Sequence, residues 1–209
     1  MKVIALFDFD GTITTKDSLT DFIQFAAGKL SYCIGLLMLS PMLIAYTIKI
    51  IPNHIAKEKL ISHFFKEWDA DRFHELAERY SREEIDKIAR PKAIEKIRWH
   101  QEQGHKVVIV SASIESWVKA WCDKNNIELI STRLEVKDNK LTGAFATKNC
   151  YGSEKVNRVR EVYDLSKYDR IYAYGDSSGD KELLALADES FYRPFRGSPV
   201  KLKLGVYSA

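Results

Sequence analysis

The 209-residue chain has only three cysteines, Cys33, Cys122 and Cys150. They are too scattered, and odd in number, to form a disulfide framework or a zinc cluster, which fits a reducing compartment. No run of five basic residues occurs and the net charge is only +3, so no extended nucleic-acid surface is expected. The five histidines, His54, His63, His74, His100 and His105, show no metal-ligand spacing and read as surface or helix-packing residues. The opening MKVIALFDFD lacks a signal-peptide pattern, because its apolar run is short and broken by Asp8, and a cytoplasmic location is expected. What is present is an ordinary globular composition, 45% hydrophobic and 29% charged, enough for one good core with a smaller subdomain attached.

Short β-rich runs alternate with helical ones. Val3 to Phe7, Lys106 to Val110 and Arg170 to Tyr174 read as buried strands. Pro91 to Gln103, which opens on proline and stops at Gly104, reads as a helix, as do Ser153 to Tyr163 and Lys181 to Ala187. This order predicts an α/β fold: a Rossmann-like parallel sheet flanked by helices. Leu129 to Phe145 has two alternating runs around Asp138-Asn139-Lys140 and predicts a small β-hairpin appended to that sheet. Residues 15–89 contain no convincing strand and predict an inserted α-helical cap, leaving 1–14 and 90–209 as the core. Hinges are expected at Thr14 to Lys16 and Ala89 to Pro91.

In parallel sheets ligands bind beyond the carboxyl ends of the strands. The unusual residues fall there: Asp8-Phe9-Asp10-Gly11-Thr12 after the first strand, Ser111-Ala112-Ser113 after the second, and Gly175-Asp176-Ser177-Ser178-Gly179-Asp180 after the third. Lys155 opens the intervening helix. Carboxylates at positions 8, 10, 176 and 180 on one edge would repel unless a cation sat among them, and an all-oxygen set favours Mg²⁺. A metal and phosphate site is expected.

DFDGT, VIVSAS, GSEK and GDSSGD, in that order, resemble the four motifs of the haloacid dehalogenase superfamily of phosphohydrolases. The helical insertion between the first two motifs is similar to the cap of its phosphoserine phosphatase-like branch. The resemblance implies an aspartyl-phosphate route. Asp8 would be the nucleophile, since a carboxylate is already ionised at pH 7. Asp10 would protonate the leaving oxygen and then accept a proton from water. Its backbone carbonyl, rather than its carboxylate, would ligate the metal with Asp8, Asp176 and Asp180. Ser111, Lys155 and the backbone N–H groups at Gly11 and Ala112 would hold the phosphate. Ser113 competes with Ser111, which is preferred because it directly follows the strand. Asp180 has a second reading as a charge opposing a helix dipole. Asp17, Asp123 and Asp164 read as helix caps.

The substrate implied is a small phosphorylated metabolite. Asp17 stands where phosphoserine phosphatases carry glutamate, and among Arg72, Arg79 and Arg82 no cap arginine is singled out. Leu30 to Ile51, in which Lys49 is the one charge, is long enough to span a bilayer. A single crossing would put the first motif and the other three on opposite sides. The segment therefore predicts either a helical hairpin around Pro41 packed in the cap or a peripheral membrane contact through residues 30–51. The latter resembles the phosphatidylglycerophosphatase C-like members, which act on a lipid phosphate. A non-catalytic membrane-associated protein with a vestigial phosphate site is the alternative from another class. Asp10 and Lys155 argue against it, because binding alone needs no acid poised for a leaving group.

Overall fold

A computed structural model describes residues 1–196 and 200–202. Strand β1 (Val3–Phe7) lies at the centre of a six-stranded sheet, between β2 (Lys106–Ile114) and β6 (Arg170–Gly175). The order continues outward to β3 (Glu128–Thr132) on one side and to β7 (Glu189–Tyr192) and β8 (Val200–Leu202) on the other. The first five strands run parallel and β8 pairs antiparallel at the edge. Every residue of β1 is buried, as a central strand covered on both faces requires.

Alternation along β1 assigns its side chains to two cores. Ile4 and Leu6 pack with Val108, Val110, Val159 and Leu183 under α9 (Ser153–Val162) and α10 (Lys181–Leu186). Ala5 and Phe7 face the opposite core, with Ala93 and Ile97 of α7 (Pro91–Glu102) and Trp121 of α8 (Lys119–Lys124). On that face Phe7 stacks on Tyr174 at 4.3 Å, and Tyr174 on Phe191 at 4.9 Å.

Between β1 and α7 come six helices: α1 (Ser18–Ala27), α2 (Lys29–Met38), α3 (Ser40–Thr47), α4 (Asn53–Phe65), α5 (Ala70–Glu83) and α6 (Ile85–Ile88). The two ends of this segment run side by side, with Thr15 N–H donating to the Ile88 carbonyl at 2.8 Å and Arg90 N–H to the Ile13 carbonyl at 2.7 Å. Phe22 of α1 is the pivot of its packing. The ring stacks on Trp117, just past β2, at 4.8 Å and touches Phe65, Phe73 and Tyr80 from α4 and α5. The helical segment and the sheet therefore share one apolar cluster.

Residues 30–51 form two short helices, as one sequence expectation had it, but the break falls at Leu39 and the helices bend by 69°. Pro41 sits in the first turn of α3, where its missing N–H costs nothing. They do not form a packed hairpin. Gly35 fits α2 against Phe64, whose ring would lie 2.3 Å from an added Cβ, yet Leu30, Leu37, Met38, Ile44, Ile48 and Ile50 remain exposed and α3 buries no residue. Among the described residues no single helix is long and apolar enough to cross a membrane.

The small hairpin is β4 (Leu134–Lys137) and β5 (Lys140–Phe145), shorter than the sequence run suggested, because Glu128 to Thr132 belongs to the main sheet as β3. It is also not appended to that sheet. It forms a separate ribbon whose backbone bonds reach the α4–α5 turn: Glu67 N–H to the Leu141 carbonyl, Leu141 N–H to Trp68 and Ala70 N–H to Asn139. Gly143, at φ +85°, lets β5 lie against Ser62 of α4, where a Cβ would approach the Ser62 backbone to 2.8 Å.

Candidate active site

The chain leaves β1 with Phe9 turned into the core against Trp121, and its flanking aspartates line a cavity at the carboxyl edge of the sheet. The Phe9 carbonyl accepts from the N–H groups of Ile13 and Thr14, so the loop turns at once. Gly11 permits this at φ +79°, and an added Cβ would come 2.6 Å from an Asp176 carboxylate oxygen.

Asp8 and Asp10 share the cavity but bind different partners. Asp8 Oδ1 accepts from Lys155 Nζ at 2.6 Å, and Oδ2 from the Thr12 hydroxyl at 2.9 Å. Asp10 Oδ1 accepts from the Ser18 N–H at 2.8 Å, and Oδ2 from the Ser113 hydroxyl. Ser111 lines the cavity with Ala112, while Ser113 is turned to Asp10 and bonds Ser111 Oγ at 3.0 Å. The serine pair that competed in the sequence is thus divided between the cavity and Asp10.

Lys155 is 2% exposed and also donates to Asp180 Oδ1 at 2.6 Å. The other oxygen of Asp180 caps its own loop, accepting from the N–H groups of Asp176 and Ser177 and from the Ser177 hydroxyl. One oxygen of Asp180 is thus a loop cap and the other faces the lysine. Gly175 is required here because an added Cβ would lie 2.5 Å from that of Asp180. Asp17 lines the cavity and also caps α1, accepting from Thr20 N–H at 3.0 Å. Asp164 accepts from Ser166 N–H, but Asp123 lies inside α8 and pairs with Lys119 instead of capping.

One oxygen from each of Asp8, Asp176 and Asp180 lies within 4.8 Å of the others, whereas the Asp10 carboxylate is outside this group. Such an all-carboxylate set fits Mg²⁺, which takes oxygen ligands and retains waters for a substrate to displace. Electrostatics agree. Burial pushes the Asp8 carboxyl up to about 7 against the pull of Lys155, and a divalent cation favours its ionised form. Burial, then the negative charge of Asp17, push Asp10 up to about 6, opposed by Lys57. Lys155 is held protonated by the carboxylates of Asp8 and Asp180 despite its burial.

Several site residues carry no sequence signal. Arg196 donates to Asp176 Oδ2 and to the Gly11 carbonyl, clamping the first and last motif loops together. Lys57 of α4 reaches the Ala112 carbonyl at 2.8 Å. Asn53 and Tyr151 also line the cavity. Thr12 and Ser113 lie within the quoted motifs, and Tyr151 directly precedes GSEK.

Comparison with known proteins agrees with this geometry. The haloacid dehalogenase-like hydrolase family matches residues 5–185. Protein CicA of Caulobacter vibrioides is 36% identical over 94% of this chain and 88% of its own length. A Mycobacterium tuberculosis protein named as a probable phosphatase is 28% identical over 94% of this chain and 70% of its own. In fold, the chain is similar to a phosphoserine phosphatase solved as an analogue of its phospho-aspartyl intermediate, with a TM-score of 0.66, 19% identity, and coverage of 90% of this chain and 85% of that one.

Proposed function

The chain belongs to the haloacid dehalogenase-like hydrolases and is a phosphoric monoester hydrolase, and we propose that it works through a phospho-enzyme on Asp8. The observation that carries this reading is the pairing of two aspartates with opposite surroundings: Asp8 against the Lys155 ammonium, Asp10 against the hydroxyls of Ser113 and Ser18. An ionised Asp8 oxygen attacks phosphorus and the bond to the leaving alcohol breaks. Asp10, whose carboxyl titrates near 6, delivers a proton to the departing oxygen and then takes one from the water that cleaves the aspartyl-phosphate. Lys155 balances the charge of the phosphoryl oxygens. Ser111 and the N–H groups of Gly11 and Ala112 hold the same oxygens, a role suited to their place on the cavity wall. Asp8, Asp176 and Asp180, with the Asp10 carbonyl, would hold Mg²⁺, which supplies Lewis-acid stabilisation of the transferring group when bound. The substrate class is a small phosphorylated metabolite.

The test is Asp8→Asn, which keeps the shape and removes the nucleophile. Turnover of p-nitrophenyl phosphate with Mg²⁺ falls by about 10⁴-fold or more, with the melting midpoint close to that of the parent. Residual turnover within tenfold of the parent sinks the assignment.

The exposed apolar face of α2 and α3 favours a second reading, a peripheral enzyme acting on a lipid phosphate monoester at a membrane. Between Asp21 and Glu58 the chain carries Lys29, Lys49 and Lys57 and no acidic residue, which suits an anionic bilayer. Flotation with phosphatidylglycerol vesicles tests it, and failure to float removes this reading while leaving the first intact.

A further inference from the structure

The catalytic cavity is not the largest space near the site. It measures about 340 Å³, at the small end for ligand sites. A second cavity of about 730 Å³ adjoins it, and the two share Asn53 and Tyr151 as lining residues. One wall of the second cavity is the start of α4, with Pro52 and His54; the other is the chain from Phe145 through Asn149, leading out of β5. Its lining mixes Pro52, Phe145, Ala146 and the Tyr151 ring with polar and charged groups that include His54, Lys148, Glu58 and Glu154.

The two shared residues are held by dedicated contacts. The Tyr151 ring lies over Gly179, where an added Cβ would come within 2.3 Å of it, so the last motif loop keeps a glycine where the ring needs room. Its hydroxyl meets Ser178 Oγ at 3.2 Å. Asn53 donates to the Tyr46 hydroxyl at 3.1 Å and accepts from Asn149 at 3.2 Å, joining the helical segment to the opposite wall. These side chains form a fixed threshold between a charged chamber that suits the phosphate and a larger, mixed chamber that holds none of the proposed catalytic residues.

We infer that the second cavity receives the leaving group, and that the substrate is the phosphate monoester of an extended, partly apolar alcohol that passes the Asn53–Tyr151 threshold. This rests on the phosphatase reading above and adds the class of alcohol. A group crossing the threshold buries apolar carbon against Pro52, Phe145 and Ala146, with its far end beside His54 and Lys148. Each buried methylene raises kcat/KM by about fourfold until the chamber is filled.

The experiment measures phosphate release by the full chain with Mg²⁺ from ethyl, butyl and octyl phosphate, each below its micelle-forming concentration. Octyl phosphate is the best substrate by at least about tenfold over ethyl phosphate. Ala146→Trp, an exposed position on the far wall, brings the octyl-to-ethyl ratio of kcat/KM down toward one. His54→Trp, on the facing wall, does the same, which guards against a folding defect peculiar to one variant. Equal kcat/KM across the series, or an octyl advantage that survives both tryptophans, overturns the inference while the phosphatase reading stands. Absence of Asp8-dependent phosphate release from every ester overturns the phosphatase reading, and this inference with it.

Discussion

The carboxyl edge of the sheet and the bent pair α2–α3 both break the rule that charge lies outside and apolar groups inside, in opposite directions. At the edge Asp8, Lys155 and Asp180 are 6%, 2% and 1% exposed, whereas Leu30, Leu37 and Ile44 are 76%, 74% and 59% exposed. A buried charge is costly unless partnered, and each charge at the edge has named partners within the chain. The helix pair has no such internal resolution, since α3 buries nothing. The first region is therefore closed upon itself, and the second faces outward with its apolar side chains uncovered.

Breaking the closed region should have the larger effects. Lys155→Met leaves the carboxylates of Asp8 and Asp180 without their shared cation and costs about 3–5 kcal/mol in a denaturant titration. Millimolar Mg²⁺ restores part of that loss, and if it restores none, the carboxylates do not share a metal. Asp10→Asn, which keeps the contacts to Ser18, lowers kcat for p-nitrophenyl phosphate by about 10²–10⁴-fold. A smaller drop would remove Asp10 from proton transfer.

A buried pair on the far side of β1 extends the comparison to pH. His100 is fully buried, with Nε2 2.8 Å from the Tyr174 hydroxyl and Nδ1 2.8 Å from His105. Burial, helped by the charge of Lys96, pulls its pKa down from 6.5 to about 3. The unfolded chain then accepts a proton that the folded one refuses, so this contribution to stability is complete above about pH 6.5 and is lost as pH falls toward 3. The slope in that window is at most about 1.4 kcal/mol per pH unit. His100→Gln, which cannot titrate, should flatten the stability curve between about pH 4 and 6; an unchanged slope assigns the acid sensitivity elsewhere. The smallest effect is expected at the outward face. Leu37→Glu shifts stability by less than about 0.5 kcal/mol and leaves p-nitrophenyl phosphate turnover unchanged, while vesicle flotation is lost. A large stability loss would mean that Leu37 is packed in solution.

The sequence revealed the central strands and the residues at their ends because those signals are local. An apolar run followed by Asp-Phe-Asp-Gly announces both a buried strand and its edge, and the separated motifs do meet in space. It did not separate β3 from the hairpin, since a strand of the main sheet and a strand of a free ribbon share the same alternation. Arg196, Lys57 and Asn53 carried no signal because each is an isolated polar residue brought in by tertiary folding, and Tyr151 stands beside the GSEK motif with no pattern of its own to mark it. The apolar run at 30–51 was conspicuous, but composition alone does not say which way its side chains point. Backbone packing at Gly35 and the bend at Leu39 decide that.

The backbone bonds between the β4–β5 ribbon and the α4–α5 turn bear on how such enzymes exchange parts. Residues 67–70 and 139–141 form one stitched seam although some seventy positions separate them in the chain. A chimera that transplants the helical insertion alone would graft half a seam and strand its amide and carbonyl groups. The transferable unit is the insertion together with its ribbon, so two distant stretches of the gene would have to travel as a pair.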